Sequence, residues 1–526
     1  MESTVYTLIP PLLAILMVAV TRKVLPSLGA GIVASALMLT DFNISNTCIL
    51  IWDAVKGIFI SDGSLNVSNI YIILFLLILG IITAFISISG GSRAFGEWAM
   101  KHVKTRVGAQ LVAALLGILI FIDDYFNALA VGQVSRPITD RHQIPRAKLA
   151  YLIDSTSAPI CVIMPVSSWG AYIIALIGGI FITHGVTEYS SLSAFIQMIP
   201  MNFYAIAALA MVFIVIYRNW NIGSMKVHED RAVKEGILYN PSKTVPGELK
   251  EDLPRSTTGR VRDLVIPIVT LIVGTVAAML WTGYQAVAGH ATLLTIFENT
   301  NVTKSLVLGG TIGIIVTFIM FLRQVFILHG ISLKVFAVGV KHGIGSMLPA
   351  VYILLFAWTI VDLIGRLGTG QYLAGLVQDL NLNVSFLPLL LFLIAGLMTF
   401  ATGTSWGSFG ILLPIAGEIT AATDISMILP AMAAVLAGAV FGDHCSPISD
   451  TTILSSTGAC ANHIDHVMTQ IPYALISAGI AMVGYIVLGF TGSTPMGLIT
   501  IMILLASFIW LSKPKKKDQL ENSIIH

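Results

Sequence analysis

Charge is scarce in this chain: only 11% of its 526 residues are Asp, Glu, Lys or Arg, against about a quarter in ordinary soluble domains. Hydrophobic residues make up 56%, and the mean hydropathy is +0.88. A soluble globular domain is excluded. Cysteine is nearly absent, and Cys48, Cys161, Cys445 and Cys460 show neither paired metal-ligand spacing nor a disulfide framework, so redox chemistry and a structural metal are not expected. No GxxxxGK[ST] phosphate loop occurs, and the longest hydrophilic stretch is too short for an ATPase domain. Energy for any work must come from an ion gradient or from the substrate's own gradient. The net charge of +2 carries no sign of a nucleic-acid partner, because the basic residues sit at loop ends.

Apolar runs long enough to cross a bilayer, roughly 17 to 25 residues, recur from residues 5–21 to residues 496–511. The expectation is an all-α polytopic membrane protein of about 12–14 membrane segments. Residues 5–21 lack the basic region and cleavage site of a signal peptide and are expected to be retained. The stretch Arg218 to Asp263, with nine basic and seven acidic residues, divides the chain near its middle. It separates an N-terminal membrane half (1–217) from a C-terminal half (264–512), with a tail at 513–526. Basic residues gather at 22–23, 101–106, 136–148, 323 and 513–517. Placing them inside by the positive-inside rule puts the N-terminus outside and the linker and C-terminus in the cytoplasm.

The two halves can be overlaid, as repeat 1 (about 69–185) and repeat 2 (about 348–460). "YIILF" at 71–75 faces "YILLF" at 352–356, and Gly117 and Phe121 face Gly396 and Phe400. Asp154, Pro159, Ile160, Ser167 and Ser168 face Asp443, Pro447, Ile448, Ser455 and Ser456. Under the topology above the repeats are inverted, the build of many secondary transporters.

Backbone without a helical partner is tolerated at membrane depth only where it is buried in protein or lines a cavity. Four polar stretches rich in Gly and Pro therefore mark broken or re-entrant helices: 121–133, 154–170, 399–410 and 441–459. Pro159, Pro165 and Pro447 are the expected helix breakers. A carboxylate inside a membrane costs about 2.5 to 3.5 kcal/mol on the insertion scale, which makes each one a functional candidate. Asp123, Asp124, Asp154, Asp362, Asp443 and Asp450 qualify, and nearby hydroxyls and freed carbonyls complete an oxygen ligand set suited to a hard cation. Exchange for a proton follows if one carboxylate holds either. Asp140 with Arg136, Arg141 and Arg146 reads as a salt-bridged loop. His444 reads either as a pH sensor or as a hydrogen-bonded structural histidine, and Trp169 and Trp406 read equally as site residues or as ordinary packing.

The strings "FIDDYFNALAVGQVSRPITDRHQIPRAKLAYLIDSTSAPICVIMPVSSWGAY", "TGTSWGSFGILLPIAGEI" and "FGDHCSPISDTTILSSTGA" resemble the NhaC-type Na+/H+ antiporter family of the ion-transporter superfamily, over roughly residues 70–490. The resemblance implies sodium-coupled transport across a prokaryotic cytoplasmic membrane. By matching motif positions it implies Asp123, Asp124, Asn127, Asp154, Thr404, Ser405, Asp443, Ser446, Asp450 and Thr451 as cation or proton ligands. Ser157 joins them as the start of a helix end that could hold a carboxylate. The expected function is Na+/H+ antiport by alternating access, with Na+ and protons sharing Asp154 and Asp443; the alternative is Na+-coupled transport of a small organic acid or amino acid. No enzyme activity and no cofactor beyond the transported ions are expected. The partners are inorganic cations, the bilayer and, in the alternative, a small carboxylate or amino acid; a homodimer stays open.

Overall fold

The structure is a computed structural model that describes residues 4–511 apart from 22, 62, 122, 166, 241, 244, 247–255, 288–290, 370, 371 and 373–382. The tail at 513–526, with its basic cluster, and part of the central linker lie outside the described residues. Eight described helices are long and apolar enough to cross a membrane, and six apolar helices of 10–17 residues accompany them. Apart from one pairing of Ile60–Ser61 with Ser64–Leu65, the described residues form helices and loops.

The first half carries helix α1 (Val67–Ile88) and then two interrupted pairs, α2 (Arg106–Leu119) with α3 (Asp124–Arg141), and α4 (Arg146–Ile163) with α5 (Ser168–His184). At about 1.5 Å per residue α2 is only about 21 Å long, too short for a hydrocarbon layer of about 30 Å. It turns back. His142 Nε2 lies 2.9 Å from Val103 O, and Arg106 donates to His142 O at 3.0 Å and Gln143 O at 2.9 Å, so entry and exit of the α2–α3 pair lie side by side. That pair is a re-entrant hairpin.

The linker contains helix α6 (Gly223–Glu235), and the second half repeats the order with α7 (Val335–Arg366), α8 (Leu387–Thr402), α9 (Ser405–Thr423), α10 (Ile428–Cys445), α11 (Asp450–Ala459) and α12 (His463–Thr491). Helix α12 is about 44 Å long and its ends identify the two faces. At its start, Asp465 pairs with Lys243 of the linker at 2.5 Å, and the linker's Glu229 pairs with Arg106 at the mouth of the first hairpin at 2.8 Å. At its far end, Phe490 meets Phe386 edge-on, just ahead of α8, with ring centroids 5.0 Å apart. The hairpins therefore enter from opposite faces, and the repeats are inverted as the sequence indicates.

Pairing across the halves is parallel and reciprocal. Helix α3 runs beside α11, with Tyr125 bonded to Asp450 near their starts and Arg136 to Cys460 near their ends. Helix α9 runs beside α5: Gly410 approaches Tyr172, and Gly417 approaches Ile180. Each hairpin thus rests its second helix on the broken helix of the other half. The α3–α11 contact is backbone on backbone, since a Cβ on Gly132 would lie 2.3 Å from the carbonyl carbon of Gly458.

The described linker residues are docked on the bundle. Lys148, at the start of α4, is fully buried with Glu229 Oε2 3.6 Å away. Arg146 stacks over Tyr239 and pairs with Asp140 at 3.3 Å, the salt-bridged loop expected from sequence.

Candidate functional site

Each of the four polar stretches contains a helix interruption, and each interruption is closed by its own side chains. Asp123 caps α3, accepting from Phe126 N at 3.0 Å. Asn127 donates its amide to Gly117 O and Ile120 O at 2.6 and 2.7 Å, satisfying carbonyls that the end of α2 leaves free. Ser167 caps α5, Thr404 caps α9 and Ser449 caps α11. Gly403, at φ 73°, closes α8 in the left-handed region that glycine enters without strain.

The structure corrects one expected breaker and the register built on it. Pro159 lies inside α4, which continues to Ile163; the interruption comes six residues later, at Pro165. A single proline removes one backbone hydrogen bond, and a tightly packed helix absorbs that loss. Pro165 and Pro447 each stand two residues before a capping serine, Ser167 and Ser449. They are the matching pair. Asp154 consequently sits in the middle of α4 while Asp443 sits in the last turn of α10, so the two aspartates are not repeat equivalents.

Three groups form around the buried carboxylates: Asp154, the pair Asp443 and Asp450 joined through Thr451, and Asp124. Asp154 is completely buried and holds four donors: Ser455 at 3.0 Å, Gln470 at 2.5 Å, Thr452 at 3.3 Å and His466 Nε2 at 3.3 Å. All four come from the second half. Asp443 accepts from Ser449 at 2.8 Å and from Thr451. Asp450 accepts from Tyr125 of the first half and, through Oδ1, from Thr451 N at 3.0 Å. Thr452 joins the first two groups, lying 3.3 Å from both Asp154 Oδ2 and the carbonyl of Asp443. The carboxylates of Asp154 and Asp443 share no partner.

The third group stands on the first turn of α3. Asp124 Oδ1 accepts from Trp169 Nε1 at 2.9 Å, and its carbonyl accepts from Ser157 at 3.1 Å. Its Oδ2 and the Oδ1 of Asn127 are buried without a hydrogen-bond partner. The charges that bear most on Asp124 are those of Asp123, Asp450 and Asp443. Of the two readings left open for it, Trp169 takes the site one, and its ring meets Trp406 of the other half edge-on at 5.9 Å.

The remaining expected residues hold backbone. Ser405 reaches Ala439 O at 3.4 Å, and Ser446 donates to Phe400 O at 2.9 Å, mirroring Cys161 on Phe121 O at 3.3 Å. His444 is buried with Nδ1 2.9 Å from Tyr204 Oη. Asp362 lies apart, half exposed and paired with Arg366 at 2.8 Å. Sequence reasoning missed His466 and Gln470. They share one face of the first turns of α12, at i and i+4, in a stretch just ahead of and at the edge of an apolar run. Among the described residues, no group of three or more His, Cys, Asp or Glu side chains is placed to hold a metal. A cation here would draw on single carboxylates, amides, hydroxyls and carbonyls.

A family model described as the Na+/H+ antiporter family matches residues 160–490. An uncharacterized protein of Haemophilus influenzae is 47% identical over 98% of this chain and 96% of its own length. A malate-2H+/Na+-lactate antiporter of Bacillus subtilis is 32% identical over 31% of this chain and 34% of its own. An uncharacterized Na+/H+ antiporter of Haemophilus influenzae is 30% identical over 27% of this chain and 31% of its own.

Proposed function

The chain belongs to the Na+/H+ antiporter family, and from that membership we propose that it exchanges Na+ for protons by alternating access, with the buried aspartates Asp124, Asp154, Asp443 and Asp450 as the shared proton and cation site. It is a multi-pass membrane protein and a secondary transporter rather than an enzyme. One observation carries the reading: carboxylates of each half are bonded by side chains of the other, Asp154 by Thr452 and Ser455, Asp450 by Tyr125. Any displacement of one half against the other changes what those carboxylates bond. A carboxylate stripped of donors in a dry interior needs either a proton or a cation in their place. Coupling of movement to occupancy follows from that requirement.

The membrane is the cytoplasmic membrane of a prokaryote, with the N-terminus outside and the C-terminus within. Support comes from the linker, whose Glu229 and Lys243 engage the basic mouth of the first hairpin and the start of α12 on one face. Positive charge concentrated there fits the cytoplasmic side.

A second reading rests on the name of the Bacillus subtilis relative, which includes lactate and malate. Here the same aspartates bind the coupling ions while a small organic acid travels with or against them. Purified protein in proteoliposomes, with a pH-sensitive dye inside, tests the aspartate site. Asp443→Asn and Asp154→Asn should each slow Na+-dependent proton movement at least about tenfold, equivalent to about 1.4 kcal/mol. Asp362→Asn, remote and half exposed, should leave it unchanged. Wild-type rates in both buried variants would remove these residues from the site.

A further inference from the structure

Within the acidic cluster, we propose that the Na+ seat is on the first turn of α3, with Asp124 Oδ2 and Asn127 Oδ1 as its side-chain ligands. This deepens the exchange reading and rests on it only for the identity of the ion. Three observations carry it.

The two oxygens are unspent acceptors on one helix turn; the Oε1 of Gln470 is also unpartnered, but it lies beside Asp154, a carboxylate already filled by protein donors. Asp124 is 1% exposed and Asn127 fully buried, and neither atom has a hydrogen-bond partner. Buried oxygens left this way are costly, by about 1 to 3 kcal/mol each, so a helix turn that keeps two of them three residues apart is suited to a ligand that fills them. By contrast, both oxygens of Asp154 and of Asp443 already hold protein donors.

The orientation of Asn127 is fixed by chemistry. Its nitrogen faces two carbonyl oxygens, Gly117 O and Ile120 O, which only the amide donor can satisfy. The oxygen is thereby turned the other way, and spacing at i and i+3 puts it on the same helix face as Asp124. Both atoms offered are acceptors, the set that a hard cation takes and an organic anion does not.

Charge points the same way. The charged groups that bear on Asp124 are Asp123, Asp450 and Asp443, all acidic, set against the partial positive end of α3, worth about half a charge. Trp169 holds the other oxygen of Asp124 and touches Trp406 of the opposite half. Occupancy of the seat is thus felt where the halves meet.

Purified full-length protein in detergent tests the seat by thermal unfolding in NaCl against choline chloride at equal ionic strength. Wild type should show a saturable rise in Tm with Na+, because a ligand that binds only the folded state stabilises it. Asp124→Asn should weaken the apparent Na+ affinity at least about tenfold. Asn127→Asp separates ligand from strut. It keeps an oxygen and adds charge while losing the amide donors, so Tm in choline should fall while Na+ affinity is kept or raised. A wild-type Na+ response in Asp124→Asn, or no response in wild type beyond that of choline, would overturn the seat. If the Na+ response vanishes in Asp124→Asn but proteoliposomes move no protons, the seat stands and the exchange reading falls. If exchange runs and Asp124→Asn keeps the wild-type KM for Na+, the exchange reading stands and the seat falls.

Discussion

Replacing Gly132 with alanine places a methyl carbon 2.3 Å from the carbonyl carbon of Gly458 and 2.4 Å from its oxygen, where ordinary contact begins near 3.4 Å. Both obstacles are backbone, so neither can rotate aside. Helices α3 and α11 must part by about 1 Å, and overpacking of this kind costs about 1 to 3 kcal/mol. The damage extends beyond the contact. Helix α11 carries Thr452 and Ser455, which reach Asp154 at 3.3 and 3.0 Å. A shift of about 1 Å along those bonds would take both beyond hydrogen-bonding range, about 3.5 Å. Misplacement on that scale costs up to about a hundredfold in rate when groups must be held in register. Na+-dependent proton flux in proteoliposomes should therefore fall about 10- to 100-fold in Gly132→Ala, with Tm lowered. Gly479→Ala in α12, where an added methyl meets nothing within 4 Å, serves as the control and should transport normally. Wild-type flux and Tm in Gly132→Ala would refute the close crossing of the halves and the coupling argued from it.

Two further predictions concern the docked linker. Glu229→Gln strips the completely buried Lys148 of its counter-charge, and breaking a buried pair this way costs about 3 to 5 kcal/mol; Tm should drop sharply and recover in the double variant with Lys148→Met, and an unchanged Tm in the single variant would contradict the docking. Burial, the largest influence, pushes the His228 imidazole on α6 below its ordinary value of 6.5, with Arg231 and Lys243 acting in the same direction and Asp465 against them. A depressed histidine favours the folded state fully above about pH 6.5 and progressively less below it. Limited proteolysis of the linker should accelerate between about pH 7.5 and 5.5 in wild type and not in His228→Gln; equal rates in both proteins would remove His228 from the docking.

Much of the fold was legible because a membrane makes irregular backbone expensive. Four polar stretches in an apolar chain located all four interruptions, and the order of segments predicted the inverted repeat that the two ends of α12 bear out. The register within the repeats was harder to read. Matching Pro-Ile dipeptides set Pro159 against Pro447, yet Pro159 sits in a helix that continues to Ile163. Where a helix ends depends on which side chains catch its freed backbone groups, and here the capping serines Ser167 and Ser449 decide it. His466 and Gln470 escaped notice for a related reason. Their helical spacing was present, but Asp154, the group they face, is more than 300 residues away along the chain.

The proposed exchange moves Na+ against protons without any organic solute. Proteoliposomes containing only the purified protein, loaded with a pH-sensitive dye in amine-free buffer, test it directly when an inward Na+ gradient is applied. The expected trace is a prompt internal alkalinisation that requires Na+, is absent with choline and is lost in Asp443→Asn. A silent trace that responds only after lactate, malate or an amino acid is added would contradict it.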